Sequence, residues 1–207
     1  MIKLIIFDLW KTLGYRDIPY DSDSAMSGLT RGKVSKKEFV KIFENSLQTK
    51  KWRSKYRAYT NLCRNMRLPV NDQNVKKLIN IRDGAETKIK LFPYTITLLK
   101  QLKKLGYQTG LISNSSVFAV EYLKKMKLLD LIDYPLFSFQ VGVIKPDLKI
   151  YKKLLIIAKC KPAEAIMIGD KIGDDVIPPR KIGMYAIHFT NYLKLKKDFK
   201  KFNIFIR

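Results

Sequence analysis

The chain begins with an almost unbroken apolar run, residues 2–7, that ends in a single carboxylate, Asp8. The run is rich in β-branched residues and lacks helical spacing, which is typical of a strand buried on both faces of a parallel α/β sheet. Asp8 then lies just past the carboxyl end of that strand, where open α/β sheets bind their ligands. Because a carboxylate beside a buried strand is unfavourable without a cation near it, we expect a positive partner from elsewhere in the chain.

The size and composition of the chain indicate a folded protein of one domain with an insertion, or of two small domains. Hydrophobic residues make up 46% of its 207 residues, close to the globular average, and the longest apolar run is too short to span a bilayer. Met1 leads directly into the first predicted strand, and Cys63 and Cys160 lack the spacing of metal ligands. We therefore expect reduced thiols, no signal or transit peptide, no membrane association and a cytoplasmic location.

The net charge of +23 is the most unusual bulk property of the chain. Such an excess can mark a surface that binds nucleic acid or acidic membranes. A dedicated binding face concentrates its charge and interleaves arginine with aromatic residues, whereas lysine is spread here over every segment. We therefore favour a general compositional bias, with nucleic acid as a less favoured partner. In either case the positive field attracts small anionic substrates such as phosphate esters.

Residues 15–90 show helical patterns and no strand candidate. The segment 35–38 is a capping box that predicts a helix start, and apolar residues continue at helical spacing to position 81. We expect an all-helical domain over 15–90, inserted into a core formed by 1–14 and 91–207. This block contains the aromatic residues Trp52, Tyr56 and Tyr59. They could select a substrate, but packing in the core of the block is the favoured interpretation.

Beyond position 91 the pattern alternates between helices and strands, which predicts a parallel sheet with right-handed crossovers. The predicted strands span 109–112, 136–139, 165–168 and 185–189, and Asp147 is a natural N-cap for the helix that follows it. The tail from 202 to 206 is expected to form an edge strand or a docked segment, and His188 is expected to be structural.

Polar residues follow several of these strands or begin the next helix, so they should meet at the carboxyl edge of the sheet. Clustered carboxylates repel unless a divalent cation and an ammonium neutralise them, and oxygen ligands without histidine or cysteine favour Mg²⁺. Lys145 supplies the ammonium, and Ser113 and Asn114 offer neutral donors for phosphate oxygens. The acidic members of the expected cluster are Asp8, Asp170, Asp174 and Asp175.

Four segments together resemble the motifs of the haloacid dehalogenase (HAD) superfamily, in the family's order and at compatible spacing. They are Asp8-Leu9-Trp10-Lys11-Thr12, Leu111-Ile112-Ser113-Asn114, Val143-Ile144-Lys145-Pro146-Asp147 and Ile168-Gly169-Asp170 with Asp174-Asp175. The resemblance covers residues 1–14 and about 91–190. It implies a Rossmann-like α/β core, and it identifies the helical block as the cap that subfamily I inserts after the first motif.

The resemblance also implies a role for each matching residue in a Mg²⁺-dependent hydrolase, with phosphatase activity favoured. Asp8 would be the nucleophile that forms an aspartyl-phosphate, and Ser113 would bind the phosphoryl group while Lys145 balances Asp8 and the phosphate. Asp8, the backbone carbonyl of Trp10 and Asp170 would hold Mg²⁺, with Asp174 or Asp175 in support. Lys11 stands where relatives often carry glycine, so it either reaches into the site or faces solvent.

Trp10 departs from the pattern of HAD phosphatases, which carry a second aspartate at this position to protonate the leaving group and activate water. The loss of such a general acid–base typically lowers the rate about 10²–10⁴-fold. HAD dehalogenases have an aromatic residue there, but they work without metal and lack the equivalent of Asp170. The alternatives to a phosphatase are therefore a metal-independent 2-haloacid dehalogenase and a catalytically weak domain that binds nucleic acid or another acidic partner.

Overall fold

The computed structural model describes residues 1–206 and contains seven strands. The strands are β1 (Leu4–Phe7), β2 (Gly14–Arg16), β3 (Ile89–Leu91), β4 (Gln108–Ser113), β5 (Tyr134–Phe137), β6 (Ala165–Gly169) and β7 (Tyr185–His188). Five of them form a fully parallel sheet in the order β5-β4-β1-β6-β7, with β1 at its centre. This confirms the predicted α/β class, and it places the carboxyl ends of β1, β4 and β6 side by side.

The helices surround this sheet or form the inserted block. They are α1 (Ser22–Gly28), α2 (Lys36–Leu47), α3 (Lys55–Asn65), α4 (Asp72–Glu86), α5 (Thr95–Lys104), α6 (Val117–Lys125), α7 (Ser138–Val141), α8 (Leu148–Ile157), α9 (Ile177–Lys181) and α10 (Tyr192–Lys200). A π-helical turn, Ile172–Val176, precedes α9, and short 3₁₀ segments lie at Leu129–Leu131 and Pro162–Glu164. Within residues 1–206, no helix combines the length and the apolar character needed to cross a lipid bilayer.

Strand β1 is buried on both faces, as its continuous apolar sequence predicts. Ile5 and Phe7 belong to one hydrophobic cluster, which α5, α6 and α10 complete. Leu4 and Ile6 point the other way into a second cluster, which α8 completes. The central strand is therefore held between two helical layers, and its carboxyl end is the point where the chain leaves the apolar core.

The inserted block contains α1 to α4 around a hydrophobic core of its own, which includes Phe39, Tyr59 and Leu78. Its three longer helices begin at polar caps, because the side chains of Ser35, Ser54 and Asn71 each accept a hydrogen bond from a backbone N–H of the first turn. We refer to this block as the cap.

The prediction that residues 15–90 contain no strand is wrong at both ends. There β2 and β3 pair as an antiparallel two-stranded sheet that joins the cap to the core. Each of these strands is only three residues long, too short to produce a recognisable alternation.

The position of β5 also differs from expectation. It begins and ends two residues earlier than predicted, at Tyr134–Phe137. The tail, for which the sequence left an edge strand or a docked segment open, is a docked segment. It follows α10 as a turn and docks on the core, where Ile204 is buried.

Candidate active site

Asp8, Lys145 and Asp175 meet in a buried ion-pair cluster beyond the carboxyl end of β1. The Lys145 ammonium lies 2.6 Å from Oδ1 of Asp8 and 2.6 Å from Oδ1 of Asp175. All three side chains are at least nine-tenths buried. Burial alone would lower the pKa of Lys145, but the two carboxylates outweigh it and hold the pKa above its ordinary value. Lys145 is therefore the positive partner that the position of Asp8 demands.

Asp170 adds a third carboxylate to this cluster. Asp8, Asp170 and Asp175 can each place one oxygen so that the three oxygens lie within 4.8 Å of one another. Burial, with Asp175 adding to it, raises the pKa of Asp8 to about 6 against the opposing effect of Lys145. Burial and Asp175 likewise raise the pKa of Asp170. Three carboxylates around one ammonium leave an excess of negative charge, and an oxygen-only donor set of this kind fits Mg²⁺.

The backbone at the end of β6 and directly after it positions Asp170 and Asp175. A methyl group on Gly169 would overlap the Asp175 carboxylate, so glycine at 169 allows this close approach. Oδ2 of Asp175 accepts a hydrogen bond from the backbone N–H of Lys171 at 3.1 Å. His188 is structural, as expected, and its Nε2 lies 3.0 Å from the carbonyl oxygen of Asp170.

Asp174 does not join the carboxylate cluster. Its carboxylate lies 3.6 Å from the Lys171 ammonium, and its carbonyl oxygen accepts a hydrogen bond from the Tyr151 hydroxyl. Of the two acids left open by the sequence, Asp175 is the one that the fold places beside Asp8 and Asp170.

Ser113, the last residue of β4, and Asn114, which follows it, have different environments. Asn114 lines the site and holds the loop that carries Lys145, because its side chain accepts from the Lys145 N–H at 2.8 Å and donates to the Lys145 carbonyl oxygen at 3.2 Å. Ser113 is fully buried, and its hydroxyl lies 2.9 Å from that of Ser115. The fold thus brings Asn114 into the cavity described below, whereas Ser113 is not among the residues that line it.

The Trp10 indole has well-defined partners. Its Nε1 donates to the hydroxyl of Ser115 at 3.2 Å, and the Arg16 guanidinium stacks over its ring at 3.7 Å from the centroid. The role of the Trp10 carbonyl as a metal ligand stays a prediction. Lys11 lines the cavity with a backbone φ of 60°, in the left-handed region that favours glycine.

A cavity of about 260 Å³ lies between these groups and the cap. The sequence did not single out the residues that the cap contributes to it. They are Arg16, Asp23, Val40, Phe43, Glu44, Gln48 and Arg82. The three aromatic residues considered for substrate selection are not among them. Tyr59 is buried in the cap core, Tyr56 is exposed, and Trp52 donates to the Ser46 carbonyl oxygen.

Glu44 of α2 lines the cavity together with Asn114 and Lys145 of the core. Lys171, Asn114 and Lys145 are close enough to favour the ionised form of its carboxylate. Burial raises the pKa of Glu44, and nearby Asp174 adds to this effect. Gln48, the residue that follows α2, is buried, and its Oε1 lacks a hydrogen-bond partner among the described residues. A face of α2 therefore presents polar groups to the cavity.

A second charged cluster lies where the cap joins the core. Oε1 of Glu86 accepts hydrogen bonds from Arg82 at 2.7 Å and from Arg16 at 3.0 Å, and Asp23 lies 3.4 Å from Arg82. Burial alone would raise the pKa of Glu86, but the guanidiniums of Arg82 and Arg16 hold it below its ordinary value. The cluster links β2, α1 and α4 at the wall of the cavity.

Comparisons with known proteins support the resemblance seen in the motifs. A glyceraldehyde 3-phosphate phosphatase of Pyrococcus furiosus is 33% identical over 119 residues, which cover 56% of this chain and 50% of that protein. The chain thus matches about half the length of this curated relative, and 44% of a second phosphatase of the same name from Methanothermobacter thermautotrophicus.

Solved structures share the fold at low sequence identity. A HAD family enzyme from Bacteroides thetaiotaomicron, crystallised as a magnesium complex, superimposes with a TM-score of 0.70 at 18% identity and covers 94% of this chain and 98% of its own. The family model described as haloacid dehalogenase-like hydrolase matches residues 5–189. That match spans the core and the cap, and it confirms the family that the four motifs indicate. The chain therefore belongs to the haloacid dehalogenase-like hydrolases.

Proposed function

We propose that the protein is a Mg²⁺-dependent phosphatase that acts on a small phosphate ester through an aspartyl-phosphate on Asp8. The observation that carries this proposal is the meeting of three carboxylates around the Lys145 ammonium at the edge of the sheet. Metal-independent chemistry has no need of Asp170 beside the nucleophile, whereas phosphoryl transfer needs neutralisation of the phosphate charge. The similarity to enzymes named as phosphatases supports the same conclusion.

In this proposal the chain's own residues position and activate the reacting groups. Asp8 provides the attacking carboxylate, and Lys145 keeps it ionised while offering positive charge to the phosphoryl oxygens. Asn114 holds Lys145 in place and lines the cavity, and Ser113 stays a predicted phosphate ligand. Asp8, Asp170, Asp175 and the Trp10 carbonyl would hold Mg²⁺, which when bound supplies a Lewis acid for the phosphoryl oxygens.

The cavity supports a substrate of limited size. Its volume of about 260 Å³ is modest, below the usual range of about 300–1,000 Å³ for ligand pockets. The cap covers the carboxylate cluster and would reduce the access of water during turnover. The positive charge that lines the cavity fits an anionic substrate. It comes from Lys11, Arg16, Arg82, Lys145 and Lys171.

The test is hydrolysis of 4-nitrophenyl phosphate with Mg²⁺ and with a chelator. We expect turnover that requires Mg²⁺ and that Asp8→Asn reduces to background, while the exposed control Asp130→Asn keeps it. Equal rates in Mg²⁺ and chelator would defeat the metal requirement. Halide release from a 2-chloroacid, unaffected by chelator, would instead select the dehalogenase.

A non-catalytic binding domain would give a different result. In that case neither substrate turns over, and the protein is retained on nucleic acid in a salt-dependent manner that Asp8→Asn leaves intact. This outcome would indicate that the positive charge of the chain serves to bind a macromolecular partner rather than a small substrate.

A further inference from the structure

A phosphatase of this kind needs a proton donor for its leaving group, and Trp10 is unable to act as one. The indole N–H is a donor that does not ionise in the physiological range. It is also bonded to Ser115, and the ring is covered by Arg16. Any proton donor must therefore come from another part of the site.

The geometry of phosphoryl transfer limits where that donor can lie. The attacking and leaving oxygens are roughly in line on opposite sides of phosphorus. Asp8 attacks from the carboxyl edge of the sheet, so the leaving oxygen lies on the side of the cap. A proton donor is thus expected on a cap element that lines the cavity.

Most acidic side chains around the cavity have another assignment. Asp8, Asp170 and Asp175 form the carboxylate cluster, Asp174 is paired with Lys171, and Asp23 lies 3.4 Å from Arg82. The remaining acidic side chain on the cavity wall is Glu44, which within residues 1–206 makes no direct ion pair.

Glu44 has the contacts expected of a residue that reaches the reacting groups. It extends from α2 into the cavity that Asp8 and Asn114 also line, and Asn114 clamps Lys145 by two backbone contacts. The charged groups that face it are Lys171, Asp174 and Lys145. Its partly buried environment favours the protonated form relative to an exposed glutamate, because burial penalises the carboxylate.

We propose that Glu44 of the cap is the general acid–base of this enzyme and replaces the aspartate that Trp10 displaces. The inference rests on the proposed phosphatase function. In the first half-reaction the Asp8 carboxylate bonds to phosphorus, the bond between phosphorus and the ester oxygen breaks, and the leaving oxygen takes the proton of Glu44. The products are the alcohol, the aspartyl-phosphate and the Glu44 carboxylate.

The second half-reaction restores both residues. The Glu44 carboxylate accepts a proton from water while the water oxygen bonds to phosphorus and the bond to Asp8 breaks. This releases hydrogen phosphate and returns Asp8 as a carboxylate and Glu44 in its protonated form. No further reactant is required.

The experiment compares two substrates that differ in their need for an acid. The 4-nitrophenolate of 4-nitrophenyl phosphate is a good leaving group without protonation. The leaving oxygen of ethyl phosphate, in contrast, must be protonated as the bond breaks. We expect Glu44→Gln to lower kcat/KM about 10²-fold or more on ethyl phosphate and less than about tenfold on 4-nitrophenyl phosphate. The matched control is Glu38→Gln, the same change at an exposed position of α2, which should leave both rates within twofold of the wild type.

Several results would overturn the inference without touching the proposed function. One is an equal loss on both substrates in Glu44→Gln, which would indicate a structural or binding role. Another is no loss on either substrate, and a third is a wild-type enzyme that turns over only 4-nitrophenyl phosphate. If the wild type hydrolyses neither substrate with Mg²⁺, the proposed function itself fails.

Discussion

The ammonium of Lys145 lies 2.6 Å from Oδ1 of Asp8, although 137 residues separate the two along the chain. The same ammonium is 2.6 Å from Asp175, so one buried cation holds two buried carboxylates. Removing one partner of a buried ion pair leaves an uncompensated charge in a medium of low polarity. This relationship therefore makes Lys145 important for stability, in addition to the catalytic role that we propose for it.

We predict that Lys145→Met lowers the free energy of unfolding of the metal-free protein by about 3–5 kcal/mol. Mg²⁺ should stabilise this variant more than it stabilises the wild type, because a bound divalent cation becomes the main compensation for the carboxylates. Thermal unfolding with and without Mg²⁺ measures both effects. An unchanged melting temperature in chelator would show that the pair contributes no net stability.

Gly169 provides a second test of the carboxylate cluster. Because a side chain at this position would overlap Asp175, we expect Gly169→Ala to displace that carboxylate and to weaken Mg²⁺ binding at least about tenfold. Calorimetric titration with Mg²⁺ gives the affinity directly. Gly28→Ala is the matched control, since an added methyl group there contacts nothing within 4 Å. Equal Mg²⁺ affinities in the two variants would exclude Asp175 from the metal site.

The core could be predicted from the sequence because its signals are local. The strand before Asp8 is an apolar run that ends at a charge, and polar residues likewise stand at the end of β4 and directly after β6. Parallel strand order alone therefore predicts that these residues meet. The choice between Asp174 and Asp175 depended on the π-helical turn after β6. No sequence signal distinguishes this turn from an ordinary helix start.

The contribution of the cap could not be predicted in the same way. Glu44 lies in the last turn of α2 and Gln48 is the residue that caps its end, and polar residues four positions apart normally indicate a solvent-exposed helix face. Whether that face meets solvent or the edge of the sheet depends on how the cap docks, which the local pattern does not contain. The missing aspartate at Trp10 was the one available signal, because it implied that a proton donor had to come from another segment.

We predict that Glu86 stabilises the junction of cap and core. Glu86→Gln leaves the buried guanidiniums of Arg82 and Arg16 without their shared carboxylate, so the free energy of unfolding should fall by about 3–5 kcal/mol at neutral pH. Glu121→Gln removes an exposed partner of Lys124 and should change it by less than about 1 kcal/mol.

The effect of Glu86 should also depend on pH in a defined direction. Its pKa in the folded protein is below the ordinary value, so its contribution is complete above the unfolded-state pKa of about 4.3 and is lost as pH falls through the folded pKa. The difference in melting temperature between wild type and Glu86→Gln should therefore stay constant from neutral pH down to about pH 5 and shrink as the pH falls below the unfolded-state pKa of about 4.3. A difference that does not shrink below that pKa would contradict the assignment of the charge.

The last prediction asks whether an acid at position 10 can replace Glu44. In the Glu44→Gln background, Trp10→Asp places a carboxyl group two residues after the nucleophile, where HAD phosphatases carry their general acid–base. We expect the double variant to regain at least about tenfold in kcat/KM on ethyl phosphate. Trp10→Asn in the same background removes the same contacts with Arg16 and Ser115 but offers no ionisable group, so it is the control. Melting temperatures verify that the two double variants are equally folded. An equal recovery of ethyl phosphate turnover with Trp10→Asn and Trp10→Asp would show that removal of the bulky indole explains the gain. It would refute the idea that an acid at position 10 replaces Glu44.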